Sequence, residues 1–362
     1  MTKSKEDGTS SHSLSRARHQ EIRAQHKAEV VDALPEAKQP TVVILAGQPG
    51  AGKSALRAQA LRDFPVNEPP VEVDIDELRK SHDDYDRLSV ENNRSAASHV
   101  QDDAGRWGDE LIEDAREGRR NVIIDGTLKS PEKAAVLCER FKKDGYRVEV
   151  RAMAVRYEDS QLGVHKRYHQ AKANGKQGRW VPEPIHDQAY SGIEESLQRL
   201  HKSESVDRIE VHGRTLDGSR GTRLLSAGGP GESDPVSALN AERTRPRTVE
   251  EQASYEYDMQ AVRDMILEQD KDLKEPENQI FFERVQELEL NQTRIPRTDG
   301  SRPASSEVNF GTQGKTTRRV QAEWDELDKS AGMEIGPRST GTGIDKGDRR
   351  GLGPQSDLAK SR

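Results

Sequence analysis

The chain of 362 residues contains one cysteine, Cys138, which excludes an internal disulfide and a cysteine-built zinc site. Aromatic residues are 4% and apolar residues 31% of the chain, against about 45–50% apolar in an ordinary globular protein. With 33% of residues charged, this points to one compact domain plus polar, partly disordered sequence. No apolar run reaches the roughly 18 residues of a membrane-spanning helix. The N-terminal stretch "MTKSKEDGTSSHSLSRARHQ" has no apolar core of signal-peptide length. The formal net charge of -7 supplies no overall basic field to attract nucleic acid. A cytoplasmic protein with neither membrane nor nucleic acid as partner is expected.

What is present is an alternation of strands and helices. "TVVILA", 41–46, is β-branched and apolar on both faces, as a central parallel strand should be. Further strands are expected at 71–76, 121–125, 145–155 and 206–213, with helices near 53–62, 86–117, 131–143, 158–173 and 186–202. Ser130-Pro131 is a helix start, with an N-cap residue followed by Pro at the first helical position. Such alternation predicts an α/β fold, a parallel sheet with right-handed crossovers and helices on both faces. Residues 38–215 are expected to form this domain. Residues 1–37 read as a frayed tail and a polar helix, and 216–245, rich in Gly, Ser and Pro, as a linker. Residues 246–332 read as a polar helical extension, with helices near 248–273, 276–290 and 316–330, and 333–362 as a disordered tail. The outlying helices read as solvated appendages rather than partner surfaces.

Gly47-Gln48-Pro49-Gly50-Ala51-Gly52-Lys53-Ser54 fits the phosphate-loop pattern G-x-x-x-x-G-K-[ST] without a mismatch. A polyphosphate needs several converging backbone N–H groups, and glycine permits the positive φ and close approach this requires. The helix that follows adds its N-terminal N–H groups. Lys53 is expected to bridge the β- and γ-phosphates, and the Ser54 hydroxyl to ligate Mg²⁺. An accidental Gly-rich turn would match the pattern too, but here the loop lies between an expected buried strand and an expected helix.

Asp74, Asp76 and Asp125 fall at the carboxyl ends of expected strands, where open α/β sheets bind ligands. Each can hold Mg²⁺, accept a proton from an attacking hydroxyl or bind a substrate hydroxyl; each can also merely cap a helix. Asp74 is the weakest, since by alternation it can point away or only cap. "NVIIDGT" leaves two roles open, Mg²⁺ support by Asp125 or substrate binding by Asp125 and Thr127. Further on lie His165, Lys166, Arg167, Lys172, Lys176 and Arg179. A mobile arginine segment suits phosphoryl transfer; a basic helix face is the plainer reading. Arg167 and Arg179 can converge only if the chain folds back after "NGKQG".

Taken together, "LAGQPGAGKS", "VDIDELRKSHDDY", "NVIIDGT" and "LGVHKRY…GRWVPEPIHD" resemble the zeta-toxin family of P-loop kinases, the toxin half of bacterial epsilon/zeta toxin–antitoxin systems. The resemblance covers roughly 38–215 and implies a nucleotide-kinase-like sheet. It also implies transfer from ATP, with Mg²⁺, to the 3'-hydroxyl of the amino sugar of UDP-N-acetylglucosamine, and a small helical antitoxin as partner. It makes Asp76 the catalytic base, Arg167 and Arg179 the phosphate-binding arginines, and Thr127 a substrate contact. Asp125 and Asp109 fall where the better-known toxins have substrate-binding Glu, with Glu110 adjacent to the latter. The shorter Asp withdraws each carboxylate by about one C–C bond. The arginine spacing is one residue short, and Trp180-Val181 replaces a small Ala-Thr. Two rival readings stay open: a kinase of this fold acting on a nicotinamide dinucleotide, nucleoside or antibiotic, and a non-catalytic nucleotide-binding module.

Overall fold

The strand that feeds the phosphate loop lies near the middle of a six-stranded sheet. In a computed structural model that describes residues 12–216 and 221–294, the strands are β1 (Thr41–Ala46), β2 (Val71–Asp74), β3 (Val122–Asp125), β4 (Arg147–Met153), β5 (Arg208–Arg214) and β6 (Thr222–Gly228). Their order is β2-β3-β1-β4-β5-β6; the first five are parallel, as expected, and β6 is antiparallel to β5. The helices are α1 (Arg16–His26), α2 (Lys53–Arg62), α3 (Ile75–Leu78), α4 (Tyr85–Glu91), α5 (Ala96–His99), α6 (Gln101–Glu117), α7 (Pro131–Lys143), α8 (Tyr157–Ala173), α9 (Glu183–His201), α10 (Pro235–Thr244), α11 (Val249–Gln269) and α12 (Pro276–Arg294). All described residues belong to one compact unit.

The two-residue period of β1 divides the core. Val43 and Leu45 pack with Leu56 and Ala60 of α2 on one face, together with Ile123 and Met153. Val42 and Ile44 pack on the other with α6, α7 and α9, around Trp107, Leu111, Phe141 and Ile193. Burial on both faces accounts for the unbroken apolar run of this strand.

Three expectations about the flanking segments are corrected. The expected linker 216–245 holds β6 and α10 instead, with α10 capped by Asp234 and Leu239 fully buried. An edge strand is held by backbone ladder bonds, so Gly/Ser-rich sequence suffices there. The N-terminal helix is no solvated appendage: Ile22 and, in the π-helical turn Lys27–Val31 that follows it, Val31 join the main core. The Trp107 indole donates to the His19 carbonyl at 3.1 Å. Helices α11 and α12 are likewise packed, burying Met259, Val262, Ile266, Phe281, Phe282 and Val285 against one another and against Leu162 of α8. Each such buried side chain contributes about 1.5–3 kcal/mol. Residues 1–11 of the expected N-terminal tail, the helix expected at 316–330 and the tail expected at 333–362 lie outside the described residues. Among the described residues no helix is long and apolar enough to cross a membrane.

Candidate active site

The phosphate loop has the backbone its glycines suggested. Gly50 and Gly52 adopt φ of +79° and +95°, and Gly52 caps α2. A Cβ at Gly50 would lie 2.0 Å from the Ser160 carbonyl oxygen, so the loop seats directly on the backbone of α8. Lys53 Nζ donates to the Gly47 carbonyl at 2.9 Å and sits 3.8 Å from Asp125 Oδ1. A Cβ at Gly47 would press on Lys53 Cγ at 2.8 Å. Ser54 is exposed in the first turn of α2. Gln48, Pro49 and Ala51 are buried, leaving their backbone rather than their side chains for a ligand. The Gln48 amide donates to the Val155 carbonyl at 3.1 Å and to Ser160 Oγ at 3.2 Å, and Ser160 Oγ contacts His186 Nε2 at 2.8 Å. That buried chain ties the loop to α8 and α9.

The strand-end acids converge on the same edge. Asp74 and Asp125 are register partners in β2 and β3. Asp74 caps α3, accepting from the Asp76 N–H at 2.9 Å, yet its other oxygen is 3.7 Å from Arg57 on α2, so it also faces the phosphate-loop side. Burial pushes the Asp125 carboxyl up, with Lys53 opposing and Asp74 adding to the rise. Asp76, in the first turn of α3, accepts through Oδ1 from the buried Arg79, which also donates to Gln101. Its Oδ2 pairs with Arg179 Nη1.

Arg179 arrives there because the chain after α8 does fold back. The turn passes through Gly175 at φ +66°, and Gly178 packs so closely on α8 that a Cβ would lie 2.5 Å from the Tyr168 carbonyl oxygen. Trp180 and Val181 are buried with Val164 and Tyr168, and the Arg94 guanidinium sits 4.8 Å over the Trp180 ring. The bulky pair that departs from the family's small residues thus anchors the returning segment. Arg167, on α8, keeps an exposed side chain and has no ion-pair partner among the described residues; the protein that displaces water around its head group, and Arg79, pull its guanidinium down. Burial also pulls the Lys53 ammonium down; Asp125 opposes this, and Arg179 and Arg167 push it further down. Both lid arginines therefore act on Lys53. Other cations of α8 have structural partners: Lys166 pairs with Asp258 at 2.6 Å, and Lys172 sits over Tyr168. Burial holds the His165 imidazole down at about 3.

Asp109 is exposed on α6, with Lys133 and Arg140 of α7 as its nearby cations. Its neighbour Glu110 is taken by α1, accepting from His19 at 3.2 Å with Arg23 at 3.4 Å. Thr127 is half-buried in the loop after β3, and α9 pins that loop through Ser196 Oγ, which donates to the Leu128 carbonyl at 2.6 Å. Arg79 is the site residue that motif reasoning missed; its only signal was a basic residue three positions after Asp76.

The donors present fit a magnesium–nucleoside triphosphate. A glycine nest, a helix N-terminus, Lys53 and an unpaired Arg167 suit polyphosphate. The Ser54 hydroxyl and the Asp125 carboxylate suit Mg²⁺. Among the described residues no cluster of three His, Cys, Asp or Glu side chains forms a metal cage. Mg²⁺ commonly relies on phosphate oxygens and water for the rest of its shell.

The sequence profile of the zeta-toxin family matches residues 25–224. Toxin PezT of Streptococcus pneumoniae serotype 4 is 28% identical over 178 residues, which cover 49% of this chain and 70% of that protein. Toxin zeta of Enterococcus hirae is 26% identical over 218 residues, covering 60% of this chain and 74% of that one. A solved structure from the PezAT chromosomal toxin–antitoxin system of S. pneumoniae superposes with a TM-score of 0.59 at 19% identity, over 71% of this chain and 98% of that one.

Proposed function

Because the chain belongs to the zeta-toxin family of P-loop kinases, we propose that it is the kinase toxin of a toxin–antitoxin pair and phosphorylates the 3'-hydroxyl of the amino sugar of UDP-N-acetylglucosamine. The observation that carries this reading is the meeting of Asp76 with Arg179 on the edge where Lys53 meets Asp125. A carboxylate suited to a hydroxyl beside cations suited to a phosphate supports phosphoryl transfer.

When bound, Mg·ATP supplies the transferable γ-phosphoryl group. Lys53 and the loop N–H groups would hold the phosphate chain, with Ser54 as a protein oxygen for Mg²⁺. Arg167 and Arg179 neutralise charge on the phosphates and exclude water. Asp76 orients the acceptor hydroxyl and takes its proton. The loose transition state asks little of a strong base, so orientation is most of its role. Asp109, Asp125 and Thr127 would bind the acceptor. The small helical antitoxin would block the nucleotide site, and the toxin would act in the cytoplasm, where its sugar nucleotide is made.

The pairing of Asp125 with Lys53 favours a second acceptor class. It draws that carboxylate toward the phosphates, leaving fewer acids for a sugar. A nucleoside, nicotinamide dinucleotide or antibiotic then competes as acceptor. Mass spectrometry after incubation with Mg·ATP and UDP-N-acetylglucosamine decides. A phosphorylated sugar nucleotide supports the first reading; unmodified sugar with turnover on another acceptor supports the second; nucleotide binding with no turnover on any acceptor leaves a binding module.

A further inference from the structure

The phosphate loop is held from below by a residue far away in the chain. Arg214, the last residue of β5, donates through Nη2 to the Gly50 carbonyl at 2.6 Å and through Nε to the Ala51 carbonyl at 3.3 Å. We propose that Arg214 is a positioning residue of the phosphate loop, one that sets affinity for the polyphosphate part of the nucleotide. The inference rests on reading 47–54 as a phosphate site.

A peptide group is planar, so fixing a carbonyl fixes the N–H at its other end. Holding the Ala51 carbonyl outward turns the Gly52 N–H to the opposite side, into the loop. Holding the Gly50 carbonyl fixes the Ala51 N–H, which closes a turn to the Gln48 carbonyl at 3.1 Å. The positive φ of Gly50 and Gly52 leaves this backbone free to adopt other orientations without such a clamp.

Charge adds to geometry. The carboxylates within electrostatic reach of Arg214 are Asp159 and Asp258. Asp159 is bonded to Arg247 and Arg156, and Asp258 to Lys166. The Arg214 guanidinium lies against the Gly50 and Ala51 carbonyls, and positive charge there favours an anion on the loop. Lysine at 214 would keep the charge but lose the planar fork that reaches two carbonyls.

The test is calorimetric titration of the full-length protein with Mg·ATP, Mg·ADP and AMP, using wild type, Arg214→Gln and Arg214→Lys. A charge-assisted hydrogen bond of ordinary strength predicts that Arg214→Gln weakens ATP binding by about 10- to 100-fold. The loss should be smaller for ADP and below about threefold for AMP, because the effect falls with phosphate charge. Arg214→Lys should fall between. If Arg214→Gln does not fold, the same ATP-to-AMP ordering must appear in Arg214→Lys. Equal losses for the three nucleotides, or wild-type ATP affinity in a folded variant, would overturn the inference alone. A wild-type protein that binds none of them would overturn the phosphate-site reading with it.

Discussion

Arg179 of the lid segment is ion-paired with Asp76, through Nη1 and Oδ2. With Arg79 on the other oxygen, both sides of the carboxylate are occupied. A polyphosphate carries more charge than one carboxylate and competes for Arg179. Nucleotide arrival is therefore expected to release the oxygen that an acceptor hydroxyl needs. Lys53→Ala and Asp76→Ala should abolish transfer, and Asp76→Asn, which keeps an orienting side chain but no base, should lower kcat by no more than about 10²-fold. Near-wild-type transfer by either alanine variant in a product assay would sink the assigned roles.

Gly50→Ala should damage both fold and nucleotide binding. The residue sits at φ +79°, and the added methyl carbon would lie 2.0 Å from a backbone oxygen of α8. The left-handed strain alone costs about 1–3 kcal/mol, and the clash adds to it because helix backbone cannot swing aside. A lowered melting temperature together with lost ATP binding is expected; a variant that matches wild type in both would show that the loop does not need this seat.

Trp180→Ala should release the segment that carries Arg179. Trp180 is buried among Val164, Tyr168 and Val181 and lies beneath Arg94. Truncating a buried tryptophan costs about 3–5 kcal/mol. Faster amide exchange across 174–182 and a higher KM for ATP are the expected readouts. Unchanged exchange there would mean that Trp180 is not the anchor.

Ile266→Ala tests whether α11 braces α8. Ile266 is fully buried in the cluster that includes Leu162 of α8. The substitution should cost about 2–5 kcal/mol, seen as a lower urea midpoint, and should raise exchange along α8. Loss of stability with α8 exchange unchanged would confine the role of α11 to its own hairpin.

Glu251 makes acid sensitivity predictable. Its hydrogen bond to Arg245, with the Thr248 N–H and further positive charge helping against burial, lowers its carboxyl from 4.5 to about 2. A carboxyl depressed in the folded state stabilises above its unfolded value and loses that contribution as pH falls through the folded one. The contribution is therefore complete above about pH 4.5 and lost toward about pH 2. Glu251→Gln keeps a capping-box residue at the start of α11 but removes the charge. Its melting temperature should fall less steeply than wild type across that window; parallel curves would count against the assignment.

The sequence by itself determined the parts that local chemistry dictates. A β-branched strand, a glycine loop and a helix start at Lys53 follow from residues adjacent in the chain, and the five parallel strands lie where alternation placed them. Asp76 and Asp125 stood out as acids at expected strand ends, Arg167 as a cation on a basic helix and Arg179 as one beyond its Gly-rich break. Only the tertiary structure decided which of them meet. The Arg179–Asp76 pair depends on a turn stabilised by Trp180, and the engagement of Glu110 depends on where α1 docks. The Gly/Ser-rich stretch read as a linker contains β6 because ladder bonds are made by backbone and leave little trace in composition. Helix α11 carries buried Met259, Val262 and Ile266 at spacings of three and four residues, a helix face plain in the sequence. That its partner is α8 was not, since hydrophobic burial has no direction and a pattern of apolar residues does not name the surface that covers it.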